Sequence, residues 1–549
     1  MKRLIIPFML LLLVMACNDY QEVNTDIYGA TEEDLKMGGL LYGAPFMDMQ
    51  QTVIPIGSPN LATGPGNDLQ VTDLISSGNY VGYFGNNNNW NFNTEANWNF
   101  TESRMSYAYQ NFYSKMFRSW NDIRKITEGS EEVYDQQVFA VANIVKIVAW
   151  LRATDVFGPI VYTKAGSGDI APMLDSQEVV YKSMLADLAT AVEVLNKAPI
   201  MLLTEYDLIY NGRISNWVKL ANSLMLRMAV RVHFKDEVLA KEYVTKALDP
   251  ANGGVIETKE GEAKIQSSEK MPLLNSMIAS VIEYSETRMG ATIWSYFTGY
   301  NDPRISVFFV KGSYLGSDDY YPIAPANKLG KREGENTSQF AARPKVEAAS
   351  PLYWMRASEV YFLKAEAALY GLIGGSAKSF YEAGVSMSFT ENSAGDASGY
   401  LAQTNKPADL TGNAYLYGSR SENYSHNLSV GNTSPKWDDY NAESTLTEQE
   451  QQLQKIITQK YLALYPNAVE AWTEYRRTGF PYLMKPFDNQ AASRIEAADD
   501  DLVPERFRFA PSEYSTNPNM AQVPALLGGK DAGSTKLWWV RSNRPKQPK

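Results

Sequence analysis

The chain has 549 residues, 44% of them hydrophobic, so its length and composition suffice for a large globular core. Its formal net charge of -11 and the lack of a Lys/Arg cluster exclude the basic surface that binding to nucleic acid requires, and no nucleic-acid partner is expected. The single cysteine excludes an intramolecular disulfide, so packing must supply the stability of the fold.

The chain begins with a sequence typical of a bacterial secretory signal. Lys2 and Arg3 precede an apolar run over residues 4–16, and Cys17 follows the small residue Ala16. Cys17 therefore stands where a lipoprotein signal peptidase would leave the first mature residue, which predicts a lipid anchor. An ordinary signal peptide with an incidental cysteine is the alternative. The run is shorter than the about 20 apolar residues of a membrane span, and no later segment comes close.

The segment from Asn79 to Phe100 interleaves aromatic and amide side chains, NYVGYFGNNNNWNFNTEANWNF. Asparagine amides donate and accept hydrogen bonds, and tyrosine and tryptophan offer large rigid rings. This combination suits sugar rings and their hydroxyl groups, whereas an Asn-rich turn with core aromatics is the alternative. The candidate ligand residues in this region are Tyr80, Tyr83, Asn88, Trp90 and Trp98.

Residues 100–250 show the periodicity of helices. The segment Gln136 to Arg152 is apolar nearly all round, which predicts a helix enclosed by its neighbours. The next helix is expected to begin after Asp175 as N-cap, with Glu178 three residues on in a variant capping box.

From about residue 250 to 350 the helical period fades, and Gly, Pro, Tyr and Ser become frequent. This composition predicts irregular loops with short strands. A second set of aromatic residues lies here and supplies the further candidate ligand residues Trp294, Tyr296 and Tyr320.

Helices return after residue 355. Small residues Ala365, Ala377 and Gly384 surround Tyr381 at spacings like those of a tetratricopeptide helix pair, because small side chains let two helices approach closely. A long polar insertion over 391–440 follows, and two further helices are predicted at Glu448–Tyr465 and Glu470–Arg477.

Candidate catalytic residues are few. The two histidines, His233 and His426, lack a nearby second ligand for zinc, so no metal site and no cofactor are predicted. Oxygen ligands are numerous, so a structural Ca²⁺ stays an open alternative. Two carboxylates suffice for glycoside hydrolysis, and Asp438 and Asp439 beside Trp437 are the most suggestive pair, although a solvated turn explains them too.

The lipoprotein signal and three motifs together resemble the SusD/RagB family of outer-membrane nutrient-binding lipoproteins. The motifs are the helix from Asn216 to Ala229, the run from Tyr361 to Ala367, and the stretch from Gln459 through Glu470 to Pro481, which contains Arg-Arg-Thr-Gly-Phe-Pro. The last of these most closely resembles the SusD-like, starch-binding-associated branch. The likeness spans nearly the whole chain.

The resemblance implies a mainly α fold, in which tetratricopeptide-like helix pairs pack against a loop-rich half with few short strands. It also implies a non-catalytic, lipid-anchored protein on the outer face of the outer membrane. Such a protein captures an oligomer, commonly an oligosaccharide, and delivers it to a SusC-like TonB-dependent transporter. A peptide-binding RagB-like lid and a surface glycoside hydrolase are the alternatives.

The expected organisation combines these inferences. It consists of a signal peptide (1–16), a lipid-anchored tether (17–34) and a single SusD-like domain (35–549), with a helical scaffold mainly over 100–250 and 355–480 and a ligand half mainly over 50–100, 250–350 and 390–445. Within the motifs, Trp217 and Trp472 are expected to be core residues, and Arg476 and Arg477 to be buried in ion pairs or to cap carbonyl groups.

Overall fold

The fold is known from a computed structural model. It describes residues 40–61, 63–86, 101–197, 201–269, 271–314, 316–325, 339–410, 428–485 and 503–547. The chain divides into two compact units, Met1–Ala44 and Pro45–Lys549. The predicted signal peptide, tether and lipid anchor at Cys17 lie outside the described residues and stay predictions, as do the domain boundaries.

Helices dominate the described chain. The α-helices are α1 (Leu40–Val53), α2 (Thr63–Leu69), α3 (Gly78–Tyr80), α4 (Glu102–Tyr109), α5 (Lys115–Thr127), α6 (Val133–Phe157), α7 (Gln177–Lys197), α8 (Ile214–Val232), α9 (Glu237–Leu248), α10 (Ala291–Gly299), α11 (Ile305–Phe308), α12 (Ala357–Leu369), α13 (Ala377–Glu391), α14 (Ser398–Ala402), α15 (Glu448–Leu464), α16 (Ala468–Thr478), α17 (Pro511–Thr516) and α18 (Val523–Leu527). Short π-helical segments cover Gln70–Ser77, Gln110–Ser114 and Ala279–Glu283, and 3₁₀ turns cover Pro250–Asn252, Lys259–Gly261 and Pro518–Gln522.

The strands are short and pair only two by two. They are β1 (Phe84–Asn86), β2 (Ala263–Ile265), β3 (Thr287–Met289), β4 (Phe309–Val310), β5 (Gly312–Tyr314), β6 (Ser317–Asp319), β7 (Arg343–Pro344) and β8 (Leu352–Met355). The antiparallel pairs are β1–β3, β2–β8, β4–β7 and β5–β6. The predicted fold class, helix pairs with a loop-rich half and few short strands, is confirmed.

Successive helices of the scaffold pack against each other: α5 on α6, α6 on α7, α7 on α8, and α12 on α13. The α12–α13 pair shows why small residues are needed. A Cβ atom on Gly384 would lie 2.8 Å from the ring of Phe362, so the two helices meet at a separation that only glycine allows. This is the close approach predicted from the tetratricopeptide-like spacing.

Helix α6 is enclosed by protein, as its apolar surface predicts. It is long and apolar enough to cross a membrane, which corrects the expectation that no segment after the signal comes close to that length. However, 83% of its most apolar window is buried inside the protein, which is typical of the core helix of a globular fold.

The family motif around α16 is structural. Trp217 and Trp472 are 1% and 0% exposed. The Arg476 guanidinium donates to the carbonyl oxygens of Asp155 at 2.7 Å and Glu505 at 2.8 Å, and Arg477 pairs with the Glu366 carboxylate at 2.6 Å. Both expected roles, carbonyl capping and buried pairing, are confirmed, one for each arginine.

Buried ion pairs join the helices of the scaffold at their centre. Arg231 on α8 pairs with Asp155 on α6 at 2.6 Å and also contacts Glu470 and Glu474 on α16. Lys460 on α15 lies 3.5 Å from the same Glu474. These charges are nearly inaccessible to water, so removal of one would leave its partners buried and without compensation. The ion pairs therefore hold α6, α8, α15 and α16 in one arrangement.

Candidate functional site

The two aromatic segments predicted to bind ligand converge in the structure. Strand β1 lies at the start of the Asn/Trp-rich segment and pairs with β3, which leads into the second aromatic set. Beyond the strands, the Gly290 N–H donates to the Tyr83 carbonyl oxygen at 3.0 Å, and the Ile293 N–H donates to that of Gly82 at 3.2 Å. The described start of the first aromatic segment, residues 79–86, is therefore joined by backbone hydrogen bonds to the second aromatic set some two hundred residues away.

Glycines permit this convergence. A Cβ atom on Gly290 would lie 2.4 Å from the Gly82 carbonyl oxygen, and one on Gly85 would lie 2.5 Å from the Cβ of Ile323. Neither contact leaves space for a side chain, so glycine is needed at both positions for the backbones to approach.

Three of the predicted ligand residues belong to the core, which corrects the prediction for them. Tyr80 is 1% exposed, and Tyr83 and Tyr296 are 0% exposed, so none of these rings faces solvent. Tyr296 donates its hydroxyl to the Tyr482 carbonyl oxygen at 2.9 Å, and Tyr83 donates to that of Tyr461. Burial raises the pKa of both phenols well above the usual value, so they stay neutral donors. For Tyr80 and Tyr83, the alternative given for the first segment, that its aromatic residues belong to the core, is correct.

Two predicted residues, Trp294 and Tyr320, keep part of their surface accessible. Trp294 lies on α10 and Tyr320 follows β6, and both are half-buried. The Lys311 ammonium lies 5.4 Å from the centre of the Tyr320 ring, within the range of a cation–π contact. The remaining candidates, Asn88, Trp90 and Trp98, lie outside the described residues and stay predictions.

Near Tyr320, a small aromatic cluster forms around β5. Tyr314 and Tyr321 are half-buried and pack against the buried Phe340, with ring centres 5.2 and 5.7 Å away from that of Phe340. The same region joins the convergent strands, since the Ile323 N–H donates to the Met289 carbonyl oxygen. Phe340 was missed from the sequence because it stands alone in a polar stretch.

The sequence reasoning also missed two exposed tyrosines, Tyr107 and Tyr284. Tyr107 on α4 is 38% exposed and Tyr284, shortly before β3, is 37% exposed. A signal existed for Tyr107: Met105, Tyr109 and Phe112 occupy the buried face, which leaves position 107 on the opposite side. No local sequence pattern predicts that Tyr284 is exposed, because its exposure depends on the packing of segments distant in the chain.

Carboxylates and histidines are engaged in structural contacts. Asp438 pairs with Lys378 and Asp439 with Lys406, each at 2.5 Å, so the pair suspected of hydrolysis forms surface ion pairs. His233 is buried and lies 2.9 Å from the Glu366 carboxylate, whereas His426 lies outside the described residues. Among the described residues, no group of three or more His, Cys, Asp or Glu side chains is arranged to hold a metal ion.

Comparison with known proteins gives the family. The family model described as SusD-like, SusD and RagB outer membrane lipoprotein, matches residues 22–540. No curated protein sequence matches the chain.

Solved structures agree with the family match. A protein designated BT1043 is 66% identical, with a TM-score of 0.89 over 93% of this chain and 100% of its own. A SusD homologue from Bacteroides vulgatus is 29% identical, with a TM-score of 0.80 over 94% of this chain and 99% of its own. A chitin-binding SusD homologue from Flavobacterium johnsoniae is 30% identical, with a TM-score of 0.78 over 92% and 99%. With its helical scaffold and its motif arginines in the core, this chain belongs to the SusD/RagB family of outer membrane lipoproteins.

Proposed function

We propose that this protein binds an oligosaccharide at the cell surface and delivers it, uncut, to a SusC-like TonB-dependent transporter in the outer membrane. Lipid on Cys17 would hold it to that membrane. The observation that carries the proposal is the family match over residues 22–540, and the partly accessible rings of Trp294 and Tyr320 support it. Aromatic rings and amides are the groups that suit sugar faces and hydroxyls.

The relatives support the ligand class. The homologue from Flavobacterium johnsoniae is named for binding chitin, a polymer of an N-acetylated sugar. Asp438 and Asp439, the carboxylate pair that the sequence suggested for hydrolysis, are held in ion pairs with Lys378 and Lys406, which favours the structural interpretation of this pair.

An array of glycans and peptides, probed with the protein lacking its signal peptide, tests the ligand class. We expect signals from one family of oligosaccharides and none from peptides. Signals confined to peptides would favour the RagB-like alternative and contradict the proposal.

Purification from detergent-solubilised outer membranes tests the partner. We expect the full-length protein, tagged at its C-terminus, to recover a TonB-dependent transporter, identified by mass spectrometry. Its C17A variant is the control for anchoring and should leave the membrane fraction. Recovery of the lipidated protein without any transporter would contradict the delivery step.

A further inference from the structure

We infer that a cavity between α6 and α7 is a further sugar-binding site, which takes one uncharged sugar ring. The choice of a sugar as the ligand rests on the proposed function, whereas the site itself goes beyond it, because the cavity is lined by helices of the scaffold. The name scaffold cavity is used below for this space, whose lining includes Phe139, Asn143, Asp187, Thr190 and Val194.

The scaffold cavity is small and open to solvent. Its volume is about 240 Å³. Pockets that hold drug-sized ligands have volumes of roughly 300–1,000 Å³, so a single ring suits this cavity better than a longer oligomer does. Thr190 is exposed, and the Asp187 side chain is 40% exposed. A ligand can therefore enter from solvent without rearrangement of the helices.

One part of the lining is apolar. Phe139 on α6 and Val194 on α7 are half-buried, and Ala140 and Ala191 are buried. Because the two alanine side chains are small, space remains between the helices. The Phe139 ring and the Val194 methyl groups offer apolar surface to this space, and such surface suits the C–H groups on the face of a sugar ring.

Asn143 supplies a hydrogen-bond donor to the cavity. The indole N–H of the buried Trp120 lies 2.9 Å from the Asn143 side-chain amide. Since an indole N–H can only donate, the amide atom that it contacts is the oxygen, and the amide nitrogen is left with its two donors. Within the described part of the chain, this nitrogen has no protein acceptor, and Asn143 is half-buried in the cavity wall.

Asp187 supplies a hydrogen-bond acceptor. The Tyr162 hydroxyl donates to its Oδ2 atom at 2.6 Å, and the Lys146 ammonium lies 3.6 Å from the same atom. Both partners are buried, so they hold the carboxylate from the side of the core. Among the residues that the structure describes, none donates to the Oδ1 atom of Asp187, so this oxygen is available to a ligand.

One buried group of residues orients both polar side chains. The Lys146 ammonium lies 4.5 Å from the ring centres of Trp120, the partner of Asn143, and of Tyr162, a partner of Asp187. Its positive charge offsets the negative charge of Asp187, so the cavity favours an uncharged ligand. Hydroxyl groups of one sugar ring can donate to the carboxylate and accept from the amide. Because both protein groups are held in place before binding, little conformational entropy is lost.

Fluorine NMR of the wild-type protein labelled with 5-fluorotryptophan tests the inference. The Trp120 signal is assigned as the one absent from W120F, and the probes are the methyl glycosides of glucose, galactose, mannose, xylose and N-acetylglucosamine. A sugar that accepts from the Asn143 amide should shift the signal of Trp120, whose N–H donates to the same amide. We expect a saturable shift with one of these sugars, with a Kd on the order of 1 mM for a single ring.

Two matched substitutions test the location. T190Y fills the cavity from an exposed helical position and should weaken binding of the methyl glycoside by about tenfold or more. Thr245 is also an exposed helical threonine, its hydroxyl donates to the Lys241 carbonyl oxygen at 2.7 Å, and it does not line the cavity, so T245Y should bind like the wild type. Saturation-transfer NMR of the sugar measures binding to both variants and does not need the Trp120 assignment.

Calorimetry of the wild-type protein with chito-, malto-, xylo-, manno- and galacto-oligosaccharides of six units separates this inference from the proposed function. If one of these oligosaccharides binds but no methyl glycoside shifts the Trp120 signal, or T190Y binds the sugar as the wild type does, the cavity inference is overturned and the proposed function stands. If none of the oligosaccharides binds, the proposed function fails, whereas a saturable Trp120 shift that T190Y removes would still support the cavity site.

Discussion

At the scale of single residues, buried charges help to hold the core together. Glu366 is 1% exposed and is shared by Arg477 and His233. Although burial raises the pKa of this carboxyl group, the Arg477 guanidinium and the hydrogen bond to His233 lower it to about 2. The carboxylate is therefore ionised at neutral pH and contacts both Arg477 and His233 in the core.

Substitution of this carboxylate should be severe. We expect E366Q to lower the free energy of unfolding by about 3–5 kcal/mol, because it removes one of the two carboxylates that pair with the buried Arg477, leaves only Glu474, and also removes the partner of His233. Urea denaturation at pH 7 measures the change. E193Q removes the exposed pair between Glu193 and Lys197 and is the control, expected to show no measurable loss. Equal stability of E366Q and wild type would contradict the structural role of the pair.

Lys146 is a second buried charge, and its environment is aromatic. Its ammonium lies 4.5 Å from the ring centres of both Trp120 and Tyr162, and 3.6 Å from the Asp187 carboxylate. Burial lowers the pKa of Lys146 from 10.5 to about 8, against the opposing effect of Asp187. The folded state therefore holds this proton less tightly than the unfolded state.

The contribution of Lys146 to the free energy of unfolding depends on pH. Between pH 8 and 10 the unfolded chain keeps a proton that the folded protein has released, so the contribution of Lys146 to stability rises with pH. We expect the free energy of unfolding of the wild type, relative to that of K146M, to increase by about 1–2 kcal/mol over this range. If the free energies of unfolding of the two proteins changed with pH in the same way, the lowered pKa of Lys146 would be contradicted.

At the scale of elements, the helices could be predicted and their exact ends could not. The helices α6, α12, α13, α15 and α16 are predicted from the sequence, α6 from its apolar positions and the α12–α13 pair from the spacing of its small residues, because such patterns depend only on local sequence. The capping box at Asp175 was wrong. Its carboxylate accepts from the backbone amides of Tyr162 and Thr163, and the Ser176 hydroxyl accepts from the Val179 amide as α7 begins.

The positions and pairing of the short strands could not be predicted from the sequence. A strand such as β1 exists because β3, far along the chain, supplies its hydrogen-bond partners, and no local pattern encodes that pairing. The same limit applies to the site aromatics. Tyr83 and Tyr284 look alike in sequence, yet one is 0% and the other 37% exposed, because only distant packing decides which ring is covered.

The helix pair α12–α13 yields a prediction at this scale. We expect G384A to lower the free energy of unfolding by about 1–3 kcal/mol, because its Cβ would meet the Phe362 ring at 2.8 Å. Alanine is the better helix former, so a propensity argument predicts the opposite sign. S379A, at an exposed position of the same helix, is the control and should not destabilise the protein. A stabilised G384A would show that the helices can separate freely.

At the scale of the whole molecule, the buried ion pairs set the behaviour in acid. The pKa values of Glu366 and Glu474 are lowered: despite burial, which raises both, Arg477 acts on each, and Lys460 and Arg231 add to the effect on Glu474. A lowered carboxyl pKa contributes stability above about pH 4.5, the unfolded value, and this contribution is lost as pH falls toward 2.

Acid denaturation measures this effect. We expect the free energy of unfolding to fall steeply between pH 4.5 and pH 2.5, with net uptake of protons on unfolding, and the slope to be shallower in E366Q. A free energy of unfolding of the wild type that is unchanged across this range would contradict the lowered pKa values of Glu366 and Glu474.

The described part of the chain thus combines a helical scaffold held by buried ion pairs with a loop-rich part that carries the half-buried rings of Trp294 and Tyr320. Its surface acids are paired with lysines at the place where hydrolysis was suspected. The Arg476–Arg477 motif lies in the core of the scaffold. For this reason it indicates the family and does not indicate the ligand.

The central claim is that the protein captures a sugar oligomer and leaves it intact. The most direct measurement is calorimetry of the wild-type protein with the six-unit oligosaccharides, followed by mass spectrometry of the sugar recovered after prolonged incubation. The account predicts saturable binding of one sugar family, recovered at its original mass. Shortened sugars in the recovered material, or no binding to any of them, would contradict it.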